Sequence, residues 1–279
     1  VIASWPSGNA NADDIATHAA LTTGVHGVGA GTVGIQNKDK TITDADNDTK
    51  IQVEESADED KIRMDVKGVE AFHLDDKGVL TLAKQSSIKV YKGISEGAQP
   101  IPTDAWVHVL LDAEGHDIQG EFDSSKVKGT ADATEANKLH DADGGFAAGD
   151  VGKTVWNTTD NTYTKVSGFV DSGELDLTDD IMASGETYIL YFSRFTAKTA
   201  GVYLAVGAVT YSTVTADVRY LSAIFRNGSS YTYGRGHSSH AMHVASLAVD
   251  IVSMAVNDYL DLWTYHAAGI NRNVGALLK

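Results

Sequence analysis

A chain of 279 residues with 27 glycines, no cysteine and a formal charge of −16 has room for two or three small domains, and its wealth of Thr, Val and Tyr favours short strands over long helices. The charge argues against a general nucleic-acid binder, which needs clustered Lys and Arg, and the lack of cysteine excludes disulfides and thiolate-held zinc as braces. Apolar stretches are broken well before membrane-spanning length, so no membrane insertion is expected.

In chain order, residues 1–39 open with small polar residues, then Asp13, Asp14 and the run IATHAALTT, where either aspartate suits the cap of a short helix. GVHGVGAGTVG follows, and the whole reads as a connector. Residues 40–87 carry the strand signals KTIT, KIQVE, KIRMDV, VEAFHL and GVLTL, separated by acidic or glycine turns. Ile51 and Val53 alternate with polar residues, as do Ile62, Met64 and Val66, which gives one apolar and one polar face. From Asp44 to Asp76 there are twelve Asp/Glu against four Lys/Arg. So thin a ribbon buries little by itself, whereas three copies about one axis would cover the apolar face and leave the acidic one in water; a trimeric β stalk is expected.

Residues 88–128 form a further β segment, with SIKVYKG, Ala105 to Leu111 and GEF as strands and with Pro100 and Pro102 fixing a turn. An inserted small β domain is expected over 129–192: a turn-rich linker, 129–145, then KTVWN, YTKVSGFV, ELDLT and ETYILYF. Residues 193–279 hold ten of the 22 aromatics and the balance of charge reverses there, with seven Lys/Arg against four Asp. Long alternating strands with this apolar load imply a sandwich.

FTAKTAGVYLAVGAV, VRYLSAIFRNG, AVDIVSMAVNDYLDLWTYHA and VGALLK together resemble the jelly roll of complement globular heads and the tumour necrosis factor superfamily. The shared features are Phe195, Gly201 to Tyr203, the hairpin Ile224 to Gly228, the pair Asp258 and Tyr259, and Gly275 to Leu278. Asn257 stands where a glycine usually precedes the Asp-Tyr pair. DAWVHVLLDAEGHDIQGEFD resembles the opening strands, so the jelly roll would run over 88–128 and resume at 193. The acidic segment and the insert are similar to pieces of phage tail fibres and related virion proteins. These resemblances imply an all-β homotrimer on the virion surface or outside the cell. It would attach to other virion proteins at its N-terminal end, present its C-terminal jelly roll to a host receptor or glycan, and carry no catalysis and no cofactor. Val1 to Ser7 lacks the marks of a signal peptide, which suits a virion part released by lysis or a trimmed chain. The alternative is a purely structural head fibre, decoration protein or filament subunit; a polysaccharide-degrading enzyme ranks below both.

Several motifs touch on chemistry. Gly93-Ile94-Ser95-Glu96-Gly97 matches G-x-S-x-G, but prolines rather than a helix follow, so it reads as a β-turn. Gly29 to Gly34 matches G-x-G-x-x-G without the strand before it that a dinucleotide site needs. Asp44, Asp46, Asp48 and Glu55 mimic a calcium loop, yet Thr49 occupies the glycine position and a solvated acidic turn is the simpler reading. His237, His240 and His243 have spacing for a metal but lack an evident supporting shell. No metal is assigned. NGSSYTYGRGH mixes large rigid contacts with adaptable Gly and Ser, as recognition loops do. The candidate ligand-binding set is therefore Tyr231, Tyr233, Arg235 and His237, with Arg226 and Asn227 of the preceding hairpin.

Overall fold

The computed structural model describes residues 41–53, 60–82, 85–240 and 242–275. The expected connector with its short helix and the Gly29 to Gly34 motif lie outside the described residues. The chain divides into two compact units, Val1–Gln85 and Ser86–Lys279. Both are antiparallel β, with a 3-10 turn at Ala148–Asp150 in the second.

In the first unit, β1 (Thr41–Thr43), β2 (Lys50–Val53), β3 (Ile62–Val66), β4 (Val69–Leu74) and β5 (Leu80–Leu82) pair in sequence order as one meander. They fall within the five segments read from the alternation. Lys67 and Gly68, at φ +51° and +70°, make the left-handed turn whose twist suits a two-residue hairpin. The registers set Ile42, Ile51, Met64, Phe72 and Leu82 in one row and Val53, Ile62, Leu74 and Leu80 in the next row of the same face. The opposite face carries Gln52, Arg63 and His73, with Glu70 accepting from Arg63 Nε at 2.8 Å and lying 2.7 Å from His73 Nδ1, and with Lys50 paired to Asp65 at 3.1 Å. Gln52, Arg63 and Asp65 of the polar face are buried rather than left in water as expected, while the described residues of this unit leave the apolar face open; Ile42, Ile51, Val53, Ile62, Leu80 and Leu82 are all exposed.

The second unit opens with β6 (Ile88–Tyr91), β7 (Gln99–Ile101), β8 (Val107–His108), β9 (Ala113–Asp117) and β10 (Phe122–Asp123). An insert follows: β11 (Lys126–Thr130), β12 (Lys138–His140), β13 (Thr154–Asn157), β14 (Thr162–Asp171), β15 (Glu174–Leu177) and β16 (Thr187–Tyr191). The chain resumes with β17 (Arg194–Thr196), β18 (Gly201–Tyr211), β19 (Arg219–Arg226), β20 (Ser229–His237), β21 (Val244–Met254), β22 (Tyr259–His266) and β23 (Arg272–Val274).

One sheet has the order β10-β17-β22-β19-β20, with β8 also on β22; the other has the order β21-β18-β23-β7. From β17 onward the chain passes repeatedly between them, which makes a jelly-roll sandwich. Its core takes Ile101, Val209, Tyr211, Val244 and Val274 from one sheet and Val107 and Tyr220 from the other. Tyr211 is paired inside it: its hydroxyl lies 2.6 Å from Thr264 Oγ1, which in turn donates to the Leu221 carbonyl. Asn257 takes φ +70°, the left-handed conformation that asparagine tolerates better than most residues. Asn227 and Gly228, at φ +51° and +79°, turn the β19–β20 hairpin in the same way as Lys67 and Gly68.

Three local expectations are revised. Pro100 lies not in a turn but in β7, opposite Asn273. β7 ends its sheet, and an edge strand tolerates a residue without an N–H. Of Ala105 to Leu111, only Val107–His108 is strand, because Gln99 replaces a neighbouring strand there: its side chain donates to the His108 carbonyl and accepts from the Leu110 amide. Residues 129–145 are no linker. They belong to the insert, which begins at Lys126 and has the sheet order β11-β16-β13-β14-β15-β12 and a core including Leu139, Phe146, Val155, Val166, Leu175, Tyr188 and Leu190. Gly129 is required in β11 because the Asp141 carboxylate and the Tyr188 hydroxyl fill the space of a side chain.

Outside the sandwich core, β18 and β21 present a second open apolar face. Leu204 pairs with Ile251, Val206 with Val249 and Ala208 with Leu247. Val202, Leu204, Val206, Leu247, Val249 and Ile251 are each 47 to 72 % exposed. Among the described residues no helix is long and apolar enough to cross a membrane.

Candidate functional site

β20 owes its orientation to two glycines. A side-chain carbon at Gly234 would overlap the Leu247 carbonyl of the facing sheet, and one at Gly236 would come within 2.6 Å of Val244 Cγ1. Residues 234 and 236 therefore face inward, and Tyr233, Arg235 and His237 face out, since successive strand residues alternate. Register extends this outer face across the sheet. Tyr233 lies beside Ala223 and then Trp263, Arg235 beside Leu221 and then Tyr265, and His237 beside Arg219. Tyr231 sits where the register shifts between Ile224 and Phe225 and is exposed.

The structure brings four of the six expected residues, Tyr231, Tyr233, Arg235 and His237, onto one strand. Arg226 and Asn227 serve the hairpin instead. Both side chains donate to Asp258, at 2.8 and 2.7 Å, and Asn227 Oδ1 accepts from the Tyr259 amide. The Asn227 hydrogen bond, then the Ala255 amide and Arg226, hold Asp258 well below the usual carboxylate range, at about 2. Together these contacts clamp the hairpin to β22.

Trp106 belongs to this face and had no signal in the sequence beyond being a tryptophan in a segment read as strand. Its ring lies edge-on to Phe225, with centroids 5.8 Å apart, and against Tyr265 at 5.5 Å, and it is 39 % exposed. Phe225 in turn stacks on Trp263 at 4.8 Å. An exposed aromatic surface built in this way offers flat faces for stacking. Compared with protein-family models, with curated proteins and with solved structures, the chain matches none.

The remaining motifs resolve into local roles. Ser95 lies 3.1 Å from Asp112 Oδ2 and 3.2 Å from Lys126 Nζ, and Lys126 is ion-paired to Asp112 at 2.6 Å and Glu96 at 2.7 Å. Burial works to lower the Lys126 pKa, but the hydrogen bonds and charges of Asp112 and Glu96 outweigh it and raise it, so this ammonium keeps its proton and supplies no base to Ser95. Asp44, Asp46 and Asp48 do converge, with one oxygen of each within 4.8 Å of the others. Asp44 also accepts from the Thr49 amide, as a turn-forming aspartate does, and Glu55 lies outside the described residues. His237, His240 and His243 are spread over the end of β20 and the turn that leads to β21, and among the described residues they form no ligand cluster.

Among the described residues His108 has the most perturbed histidine pKa, and it lies under the outer aromatic face, where the insert meets the sandwich. It is fully buried between Trp263 and Tyr191, with Nδ1 2.9 Å from Thr154 Oγ1. Burial pushes its pKa down to about 4 against an ordinary 6.5; Asp261 partly offsets this, and Lys165 and Arg194 add to it. A histidine with a depressed folded pKa contributes fully above pH about 6.5, and stability is lost as pH falls towards 4 because the unfolded chain takes the proton first. The expected loss is about 3 kcal/mol at about 1.4 kcal/mol per pH unit. Burial also lowers the pKa of His266, in the same direction. Thermal melts between pH 7 and 4 check this: His108→Gln should flatten the acid limb, and an unchanged limb would assign the loss to other groups.

Proposed function

We propose that this chain is a homotrimeric virion fibre module of the tail-fibre kind that binds a host receptor or glycan through its C-terminal jelly roll. The observation that carries the reading is the open apolar face of the first unit. Nine apolar side chains, from Ile42, Ile51, Val53, Ile62, Met64, Phe72, Leu74, Leu80 and Leu82, share one side of a five-stranded sheet that no described residue of its own unit covers. Contiguous exposed apolar surface of this kind marks an interaction site. The β18–β21 face supports the same reading within the jelly roll, and the aromatic strand β20 supplies a surface for recognition. Joining three such surfaces multiplies weak contacts, by about 10² to 10⁴ in effective affinity.

Light scattering of the full chain tests assembly: a mass three times 29.6 kDa is expected, and a stable monomer overturns it. Titration of labelled chain onto a panel of bacterial strains tests recognition. Saturable binding to some strains supports the reading. A trimer that binds none would favour the structural alternative of a head fibre, decoration protein or filament subunit, for which the same two apolar faces would serve as subunit contacts.

A further inference from the structure

Resting on that receptor-binding reading, we propose that the outer face of the β20-β19-β22 sheet binds a sugar ring carrying an anionic substituent, a carboxylate or a sulfate. The aromatic side chains would take the ring, and Arg235 with Arg219 would take the charge.

Two cations on this face are left without partners. Arg219 and Arg235 are both exposed, and neither has an ion pair or hydrogen bond among the described residues. They stand at diagonal positions on adjacent strands, Arg219 opposite His237 and Arg235 opposite Leu221, so their side chains leave the same face. Diagonal neighbours in a sheet are about 7–8 Å apart, within reach of one anion for long side chains. The nearby acid Asp217 is turned to His237, at 3.9 Å. In a chain with 38 acidic residues against 22 basic ones, two neighbouring guanidinium groups with no carboxylate bonded to either stand out, the acids of this face being engaged elsewhere: Asp217 with His237, and Asp104 with the Tyr265 hydroxyl at 3.1 Å. The guanidinium fork matches a planar carboxylate in two parallel hydrogen bonds and suits a sulfate as well.

The second half of the site lies one row along the strands. Tyr233 is 56 % exposed and has no hydrogen-bond partner among the described residues. Trp106 belongs to the same row, because its two ring contacts, Phe225 and Tyr265, lie on either side of the Ala223–Trp263 pair that continues from Tyr233. Ala223 between them is fully buried, so the surface on offer is that of the Tyr233 and Trp106 rings themselves. Exposed Tyr and Trp rings offer flat apolar area with a polar edge, the surface on which a pyranose packs. The insert bounds the site on its far side, where Lys165 sits 5.1 Å over the Trp263 ring. What results is an aromatic bed with a cationic end, open along the β20 edge. A neutral sugar would use only the first of these, and a free inorganic anion only the second.

The test uses the full chain and follows tryptophan fluorescence during titration with sialyllactose, with sulfated lactose and with plain lactose. One anionic sugar or both should bind at least about tenfold more tightly than lactose, the size of one hydrogen-bonded charge. Arg219→Gln with Arg235→Gln should bring that affinity down to the lactose level, and Tyr233→Ala should weaken all three; these positions are exposed, so the variants should melt like the parent. Equal binding of lactose and the anionic sugars, or no effect of the double substitution, overturns the proposal and leaves a glycan-binding module. If no probe binds while labelled chain still saturates cells, the proposal falls and the receptor reading stands. Absence of saturable cell binding by the parent chain is the separate result that would sink that reading.

Discussion

Placing aspartate at both Leu204 and Ile251 is expected to leave the chain folded and to convert the proposed trimer into monomers. The two side chains face each other across β18 and β21 and are 71 and 64 % exposed, so within one subunit they pack against little. Surface changes of that kind usually alter a subunit's own stability by about 0.5 kcal/mol or less. At a subunit contact the same positions act differently. Each side chain gives up about 1.5–3 kcal/mol of apolar burial, and each new carboxylate must be dehydrated with no cation opposite it. Two substitutions in each of three subunits should therefore reduce the mass seen by light scattering to 29.6 kDa, with an unaltered far-ultraviolet spectrum. An unchanged oligomer would mean that assembly depends on the first unit alone.

Gly234→Ala is expected to be among the most damaging single-carbon changes in the sandwich. The added carbon would overlap the Leu247 carbonyl, and backbone cannot swing aside as a side-chain tip can. Separating the strands would also break a short relay in which the Ser222 amide donates to Ser246 Oγ and Ser246 donates to the Gly234 carbonyl. Overpacking typically costs about 1–3 kcal/mol, and loss of two buried hydrogen bonds adds to it, so a loss of about 3 kcal/mol or more is expected. Gly149→Ala is the control, because a side chain there meets nothing within 4 Å. Chemical denaturation of both variants decides the matter: similar midpoints would show that β20 and β21 have room to part. Because Tyr233 and Arg235 flank Gly234, ligand binding should fall with stability.

The strands of the first unit are legible in the sequence because each is short, alternates strictly and ends at an acidic or glycine turn. Ile51 and Val53 in β2, with Ile62 and Met64 in β3, specify a face without reference to anything distant. β20 is legible as an exposed aromatic and cationic strand for a similar reason, since Tyr231, Tyr233 and Arg235 alternate locally along it. What escapes depends on long-range pairing. β8 is two residues long, and nothing near Trp106 reveals that β22 will bring Tyr265 beside it or that β19 will supply Phe225. Lys126–Thr130 reads as the end of one segment and the start of a linker because its alternation is weak and Gly129 interrupts it; the reasons for that glycine, Asp141 and Tyr188, both lie further along the chain. Arg226 and Asn227 mislead in the opposite sense, since their partner, Asp258, lies on the approach to another strand.

The insert departs from and rejoins the sandwich at paired neighbours: Asp123 lies opposite Arg194, and Lys126 opposite Tyr191. A segment whose ends are already side by side behaves as a detachable cassette, since closing it costs little more entropy than closing a turn and its length is nearly free to vary. Exchange would have to keep the contacts at its base, where Thr154 lies 2.9 Å from His108 Nδ1, Tyr191 donates to the His108 carbonyl and Tyr163 donates to the Pro100 carbonyl. Yet the cassette is not inert, for it carries Lys165 over Trp263 and so sets where the exposed aromatic row stops. Substituting another cassette that kept those basal contacts would move the edge of the aromatic row while β20, with Tyr233 and Arg235, stayed in register with β19.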